Sequence, residues 1–185
     1  MLVHLALPVL VAAILVFVSS SLIHMVFKWH NSDYGKLADE DAVRAALRAS
    51  VSKPGQYVIP YCLGMKEMQS PEMQAKWVEG PVGFIHVRPN GIPKMGPTLG
   101  QWFVLNVVVA ALVAHVACSA VGITGVNSHH LFHVTALTTF LAYGVGSLTS
   151  GIWKGQTWGS VAKDLLDALI YGLVSGAAFA WQWPS

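Results

Sequence analysis

The residues of this chain that could carry chemistry include a few polar side chains within otherwise apolar stretches. Asp164, Asp167 and Tyr171 lie early in the last apolar stretch, and Asn106 lies in the second. Asp167 would sit roughly 10 Å inside a helix that rises about 1.5 Å per residue, where a charge is costly and often handles protons or ions. The group is therefore a candidate ion or proton site. The alternative is structural, because the helix dipole favours acids in first turns and Lys163 can pair with Asp167 at i,i+4.

Histidines form a second candidate group. His129 and His133 are four residues apart and would share one helical face, as a transition-metal or haem-type site requires. His115 lies among alanines, and the spacing of Ala111 and His115 resembles the pattern by which antenna helices seat a chlorophyll-type macrocycle. A metal or tetrapyrrole at His115, His129 and His133 is one hypothesis. The other is that these histidines meet water or hydrogen-bond a neighbouring helix, and no cofactor is favoured.

Two further histidines, His24 and His30, lie at the end of the first apolar stretch, where we expect them to meet interfacial water. The sequence has no glycine-rich phosphate loop, no Ser/His/Asp arrangement and no CxxC motif. Cys62 and Cys118 are far apart and do not indicate a disulfide framework. These observations favour a protein without enzymatic activity.

The elements that must position these residues are membrane helices. The chain has 185 residues, of which 54% are hydrophobic and 11% charged, against roughly a quarter charged in a soluble domain. Crossing a bilayer takes about 20 apolar residues in a helix. Four stretches are that long, namely residues 2–27, 98–121, 130–153 and 161–183. The sequence therefore predicts an all-α membrane protein of one domain with four transmembrane helices.

Small residues recur every four positions in the last two predicted spans. Such residues stack on one helical face and let a neighbouring backbone approach closely. They are Ala168, Gly172, Gly176 and Ala180 in the last span, and Ala142, Gly146 and Ser150 in the third. We expect these two faces to meet in an antiparallel hairpin, although the face on the last span could equally serve a dimer.

The distribution of basic residues predicts an orientation. Nine of the eleven Lys and Arg residues lie between the first and second spans, and the other two, Lys154 and Lys163, lie between the third and fourth. The positive-inside rule then places both connections in the cytoplasm and both termini outside.

The first connection, residues 28–97, is predicted to be a partly folded cytoplasmic cap. It has a helix signal from Asp39, and another with Ser70 as N-cap and Pro71 at the first helical position, ending at Glu79. Two aromatic and β-branched runs, residues 57–62 and 84–88, would form a small ribbon. Nine basic against seven acidic residues give no nucleic-acid surface.

Several short motifs carry a family resemblance: Asp167-Ala-Leu-Ile-Tyr-Gly172, Trp181, Trp183-Pro184, Ile152-Trp-Lys-Gly155, Trp158 and the loop segment 70–81. With them the chain resembles a family of small bacterial integral inner-membrane proteins to which no activity is assigned. The resemblance implies a bacterial inner membrane and supplies no site residues.

Taken together, the sequence favours a non-enzymatic membrane protein that packs as an accessory or structural subunit of a larger membrane complex or homo-oligomer. Its partners would be the lipid bilayer and other membrane subunits or further copies of the chain. One alternative is a small transporter or proton-coupled carrier that uses Asp167. Another is a tetrapyrrole- or metal-binding subunit that uses His115.

Overall fold

The computed structural model describes residues 5–184, and its elements are almost all helical. In chain order they are α1 (Ala6–Ser21), α2 (Glu40–Ser50), β1 (Gly55–Ile59), α3 (Met65–Met68), α4 (Pro71–Glu79), β2 (Gly83–Val87), α5 (Met95–Val121), α6 (Ser128–Lys154) and α7 (Trp158–Gln182). A π-helical turn, Leu22–Phe27, continues α1.

Four of these helices are long and apolar enough to cross a membrane: α1 with its π-helical turn, α5, α6 and α7. The predicted all-α class is therefore confirmed, with four helices that are long and apolar enough to span a membrane. The predicted start of the first span, at residue 2, lies outside the described residues. Helices α6 and α7 begin two and three residues before the predicted spans, because Asn127 and Thr157 cap them by accepting hydrogen bonds from backbone N–H groups of the first turn.

Helices α6 and α7 form the most extensive contact in the bundle, and glycine makes it possible. A Cβ atom on Gly172 would lie 2.7 Å from the carbonyl oxygen of Ala136, and one on Gly176 would lie 2.9 Å from the Ala136 Cβ. On the other side, a Cβ on Gly144 would lie 2.8 Å from the Cβ of Ala168. The small face of α7 is therefore occupied by α6 inside the bundle.

The α6 side of this contact differs from the predicted row. The contacting residues are Ala136 and Gly144. The predicted row of Ala142, Gly146 and Ser150 is two residues out of step with them, which places it about 200° away around a helix of 3.6 residues per turn. Ala142 and Gly146 are accordingly exposed on the outer face of α6, and Ser150 is half-buried.

A buried polar pair accounts for the choice between the two faces of α6. The hydroxyl of Thr139 donates a hydrogen bond to Ser175 Oγ across the interface at 3.1 Å, and both side chains are buried. Turning α6 to present Ala142 and Gly146 would leave the Ser175 hydroxyl without this partner, which is costly in an apolar interior. The contacting face has Phe140 between Ala136 and Gly144, so small-residue spacing alone favours the outer face.

Helices α1, α5 and α7 complete the bundle around two apolar clusters. One cluster surrounds Phe179 and Val113, and the other surrounds Val16, Ile23 and Tyr171. Large apolar side chains also cover the outside, among them Leu7, Leu10, Leu105, Leu112, Leu137, Leu141, Leu169 and Leu173. An apolar exterior of this extent is expected where lipid is the solvent.

Residues Gly35–Pro93 form a separate compact unit. Strands β1 and β2 pair antiparallel, with Gly55 opposite Val87. Asp39 caps α2, and Ser70 caps α4 by accepting a hydrogen bond from the Met73 N–H at 3.2 Å. Both capped helices are therefore confirmed, and the ribbon is present with its first strand two to three residues and its second strand one residue earlier than predicted.

Candidate functional site

The site begins where α1 ends in an unusual turn. After the π-helical residues Leu22–Phe27, Lys28 adopts the left-handed conformation with φ 55°, and its N–H donates to the Ile23 carbonyl at 2.9 Å. A left-handed non-glycine residue costs about 1–2 kcal/mol, and π-helical turns are frequent at functional sites. The turn leads directly into the 3-10 helix Trp29–Asp33, which packs against α7.

Asp167 on α7 is the centre of the site. Its side chain is buried, with 7% of its surface exposed. Its Oδ2 atom lies 3.0 Å from His30 Nε2 and 3.8 Å from His24 Nε2. On the far side of the His30 ring, Nδ1 lies 2.7 Å from Asp33 Oδ2. The turn at the end of α1 therefore places His30 between two carboxylates, with His24 beside it.

Lys163, one turn before Asp167, is engaged elsewhere. Its Nζ donates to the Trp29 carbonyl at 2.9 Å, to Ser32 Oγ at 2.7 Å and to the Asp33 carboxylate. The hydrogen bond from Lys163 lowers the pKa of Asp33 below its ordinary value, so Asp33 is ionised at neutral pH. The expected pairing of Lys163 with Asp167 is therefore replaced by an ion pair with Asp33.

The hydrogen-bond partners of the two imidazoles fix where their lone pairs point. His24 Nδ1 lies 3.0 Å from the Ser20 carbonyl, which can only accept, so this nitrogen carries the proton. The Asp33 carboxylate has the same effect on His30 Nδ1. In neutral imidazoles, both Nε2 atoms then carry lone pairs, of which that of His30 lies at hydrogen-bond distance from Asp167. These three potential acceptors lie within 4.8 Å of one another, so a proton or a metal cation among them would be stabilised.

Two buried polar atoms beside this group have no hydrogen-bond partner among the described residues. They are Asp167 Oδ1 and the indole nitrogen of Trp29. Most buried polar groups in proteins are paired, so such exceptions call for a physical explanation. The two atoms are an acceptor and a donor, and the Trp29 side chain lies within reach of the Asp167 carboxylate, so the indole N–H is the nearest candidate partner for this oxygen.

A cavity of about 450 Å³ adjoins the Asp167 carboxylate. Its walls combine apolar side chains with several polar groups, a composition typical of small-molecule and ion-binding sites. It is lined by residues that include Ser20, His24, Met25, Leu99, Trp102, Tyr143, Asp164, Asp167 and Tyr171. Three of the four residues predicted for the ion or proton site, Asp164, Asp167 and Tyr171, therefore face one cavity.

Asn106, the fourth predicted member, is bonded to a residue that lines the cavity. Its Oδ1 accepts a hydrogen bond from the Tyr143 hydroxyl at 2.7 Å, and the Tyr143 ring packs edge-on against Tyr171 with centroids 5.4 Å apart. Asp164 is held differently, since its Oδ2 accepts from Gln156 Nε2 at 2.8 Å. Asn106 therefore supports the cavity wall rather than the carboxylate.

The histidines predicted to bind a metal or tetrapyrrole lie apart from this group. His115 is exposed on α5, whereas His129 and His133 are exposed near the start of α6 with their Nε2 atoms 3.3 Å apart. Within residues 5–184, the group of three or more potential ligands is His24, His30 and Asp167. His115, His129 and His133 are thus not assembled into one site.

Sequence reasoning missed His24 and His30, which were expected to meet interfacial water. His24 is half exposed, but only 15% of the His30 side chain is accessible. The sequence does contain one relevant signal, because an acid inside a spanning helix needs a partner. Both histidines lie at the end of the first span, which is at the same end of the bundle as Asp167. The turn that directs them inward has no sequence signature, because Lys28 stands where glycine would be usual.

Comparison with known proteins supplies no relative from which a function could be transferred: no family model, curated protein or solved structure matches the chain.

Proposed function

We propose that this protein is a small membrane carrier that holds a cation at Asp167. The observation that carries the proposal is the buried carboxylate of Asp167, which faces the Nε2 atoms of His24 and His30 from inside a membrane-spanning helix. An ionisable residue in such a helix is expensive to keep and marks ion or proton pathways in membrane proteins.

The distribution of charge supports a cation rather than an anion. Lys163 neutralises Asp33, and across the described residues no Lys or Arg forms an ion pair with Asp167. A buried carboxylate without a fixed countercharge is strongly unfavourable unless a proton or another cation joins it. The adjacent cavity of about 450 Å³ provides space through which that cation could reach Asp167.

The proposed setting follows from charge and resemblance. We place the protein in a bacterial inner membrane, with residues 28–97 and the connection between α6 and α7 in the cytoplasm and both termini outside. The asymmetry of Lys and Arg supports this orientation. The cation site then opens toward the cytoplasmic end of the bundle, because α7 begins at that end.

Liposomes containing the purified protein test the proposal. We expect uptake of a cation from a panel of H⁺, Na⁺, K⁺, Mn²⁺ and Zn²⁺, measured with ion-sensitive dyes inside the vesicles. Asp167→Asn keeps the shape of the side chain, removes its charge and should abolish the uptake. Asp41→Asn is the control for the loss of one carboxylate, because 92% of the Asp41 side chain is exposed and Asp41 belongs to the separate unit Gly35–Pro93. Equal fluxes through wild type and Asp167→Asn would refute the carrier.

A second candidate function is that of an accessory or structural subunit in a membrane complex or homo-oligomer. The observation that favours it is the outer face of α6, where Ala142 and Gly146 are exposed. Throughout the described part of the chain, no atom lies within 4 Å of a Cβ placed on Gly146. Exposed small residues on a membrane helix allow another helix to pack closely.

Native mass spectrometry of protein extracted gently from its own membrane tests this second candidate. Further copies of the chain or stoichiometric membrane subunits are expected, and a lone monomer would contradict it. An absorption scan of the same sample tests whether His115 binds a tetrapyrrole, which would show as a visible band.

A further inference from the structure

We infer that the cation held at Asp167 is a divalent transition metal ion of the Zn²⁺ class, bound by His24 Nε2, His30 Nε2 and the Asp167 carboxylate. This inference rests on the proposed function and specifies its cargo. The three potential ligand atoms lie within 4.8 Å of one another and come from two parts of the chain that are far apart in sequence.

The chemistry of the ligands selects the class of metal. Imidazole nitrogen suits Zn²⁺, Cu²⁺, Fe²⁺ and Ni²⁺, whereas Mg²⁺ and Ca²⁺ prefer oxygen ligands. Two imidazoles with one carboxylate form a recurrent zinc site that keeps a further position open. The ligand set therefore favours a transition metal over Mg²⁺ and Ca²⁺.

The distances are close to those of a bound site. Zinc lies about 2.0–2.2 Å from nitrogen and oxygen ligands, so two ligands of a tetrahedral ion are about 3.4 Å apart. Asp167 Oδ2 lies 3.0 Å from His30 Nε2 and 3.8 Å from His24 Nε2, on either side of that value. Shifts of a few tenths of an ångström would bring these two pairs to the coordination distance, whereas the two histidine nitrogens, which lie within 4.8 Å of each other, need a larger movement.

The orientation of His24 must also change. The His24 and His30 rings are stacked, with centroids 4.8 Å apart and planes 4° from parallel, so their lone pairs do not converge on one point. Rotation of one ring would make them converge. The His24 side chain is 51% exposed and has room to turn, whereas His30 is held between Asp33 and Asp167.

The groups behind the ligands match those of metal sites. Histidines that bind metals usually donate the other ring N–H to a carboxylate or a backbone carbonyl, which orients the ring. His30 has the Asp33 carboxylate in this position at 2.7 Å. His24 has the Ser20 carbonyl at 3.0 Å in its present orientation, and the rotation of its ring would alter this bond. Lys163 in turn holds Asp33.

The cavity is lined by two of the three ligand residues, His24 and Asp167. The second oxygen of Asp167 is buried beside the Trp29 indole, so we assign only one carboxylate oxygen to the metal. The adjoining cavity of about 450 Å³ can supply water as a further ligand. A site with an open position can also release its ion, as a carrier requires.

Cobalt titration of the full-length protein in detergent tests the inference, because Co²⁺ is a coloured substitute for Zn²⁺. We expect one Co²⁺ per chain with visible absorption bands, displaced by Zn²⁺ but not by Mg²⁺ or Ca²⁺. His24→Ala and His30→Ala should each weaken binding by more than the roughly 10–100-fold cost of losing an outer-shell partner. If His30→Ala does not fold, Co²⁺ binding by the His24→Ala variant is the deciding measurement, because His24 is half exposed. His133→Ala is the control, since His129 and His133 form a separate exposed pair.

Binding that is absent in the wild type, or lost in His133→Ala but retained in His24→Ala, would overturn the inference. The result also separates the two proposals. If no Co²⁺ binds but Asp167-dependent uptake of another cation persists, the metal inference fails and the carrier stands. If Co²⁺ binds as expected but no cation is transported, the metal site stands and the carrier fails.

Discussion

Gly172→Leu is expected to prevent the bundle from folding stably. Even a Cβ atom at this position would lie 2.7 Å from the carbonyl oxygen of Ala136, and that oxygen belongs to a helix backbone that cannot step aside. Adding methylene groups to a packed core costs about 1–3 kcal/mol. Leucine adds four carbons against a backbone, so we expect a loss at or above the upper end of that range, against a typical total of about 5–15 kcal/mol. Gly172→Ala should show an intermediate loss.

The measurement is the fraction of monodisperse protein in detergent and its thermal unfolding. Gly100→Leu is the matched control, because Gly100 is exposed on α5 and, over the described residues, nothing lies within 4 Å of an added Cβ. Replacing glycine in a helix favours the helix by up to about 1 kcal/mol, so this control should be neutral or slightly stabilised. Equal stability of the two variants would show that α6 does not pack on Gly172.

Asp33→Asn should weaken Co²⁺ binding by about 10–100-fold, as loss of an outer-shell carboxylate usually does. The Asp33 carboxylate accepts from His30 Nδ1 and is itself held by Lys163, so it both orients the ring and makes its Nε2 a better ligand. Asparagine retains the shape and one acceptor, but the charge is lost. His30 should therefore remain in place while its basicity falls.

The measurement is the Co²⁺ dissociation constant, with thermal unfolding recorded in parallel because Lys163 loses its ion pair. Asp41→Asn serves as the control, because Asp41 is exposed and belongs to the separate unit Gly35–Pro93. Unchanged affinity in Asp33→Asn, or equal weakening in both variants, would mean that Asp33 does not act through His30.

The packing of α6 on α7 also explains why Asp167 can face α1. Ala168, the residue next to Asp167, packs directly on Gly144, where an added Cβ atom would lie 2.8 Å from the Ala168 Cβ. This contact fixes the rotation of α7, and adjacent residues on a helix point about 100° apart. With Ala168 against α6, Asp167 is directed to the turn that follows α1, where its carboxylate lies close to His24 and His30.

The sequence predicted the elements well because their signals are local. Apolar length identified the four spanning helices, and Ser70 with Pro71 identified the start of α4. The contacting face of α6 was predicted wrongly because Ala142, Gly146 and Ser150 recur every four positions, whereas Ala136 and Gly144 on the contacting face are separated by Phe140. The contacting face is interrupted by a large residue and therefore gives no small-residue signal.

The site was predicted only in part. Asp167 was identified from the cost of a charge inside a membrane helix, which is a local property. Its partners were not, because they depend on a π-helical turn and a left-handed Lys28 that bring residues separated by more than a hundred positions together. Lys163 looked like the natural partner by spacing, yet it bonds to Asp33 across the interface.

Anomalous X-ray diffraction at the zinc edge, from crystals of the full-length protein grown with Zn²⁺, tests the central claim most directly. We expect an anomalous peak between His24 Nε2, His30 Nε2 and the carboxylate of Asp167, and we expect this peak to be lost in Asp167→Asn. Zinc found only at the exposed pair His129 and His133, with none at Asp167, would contradict it.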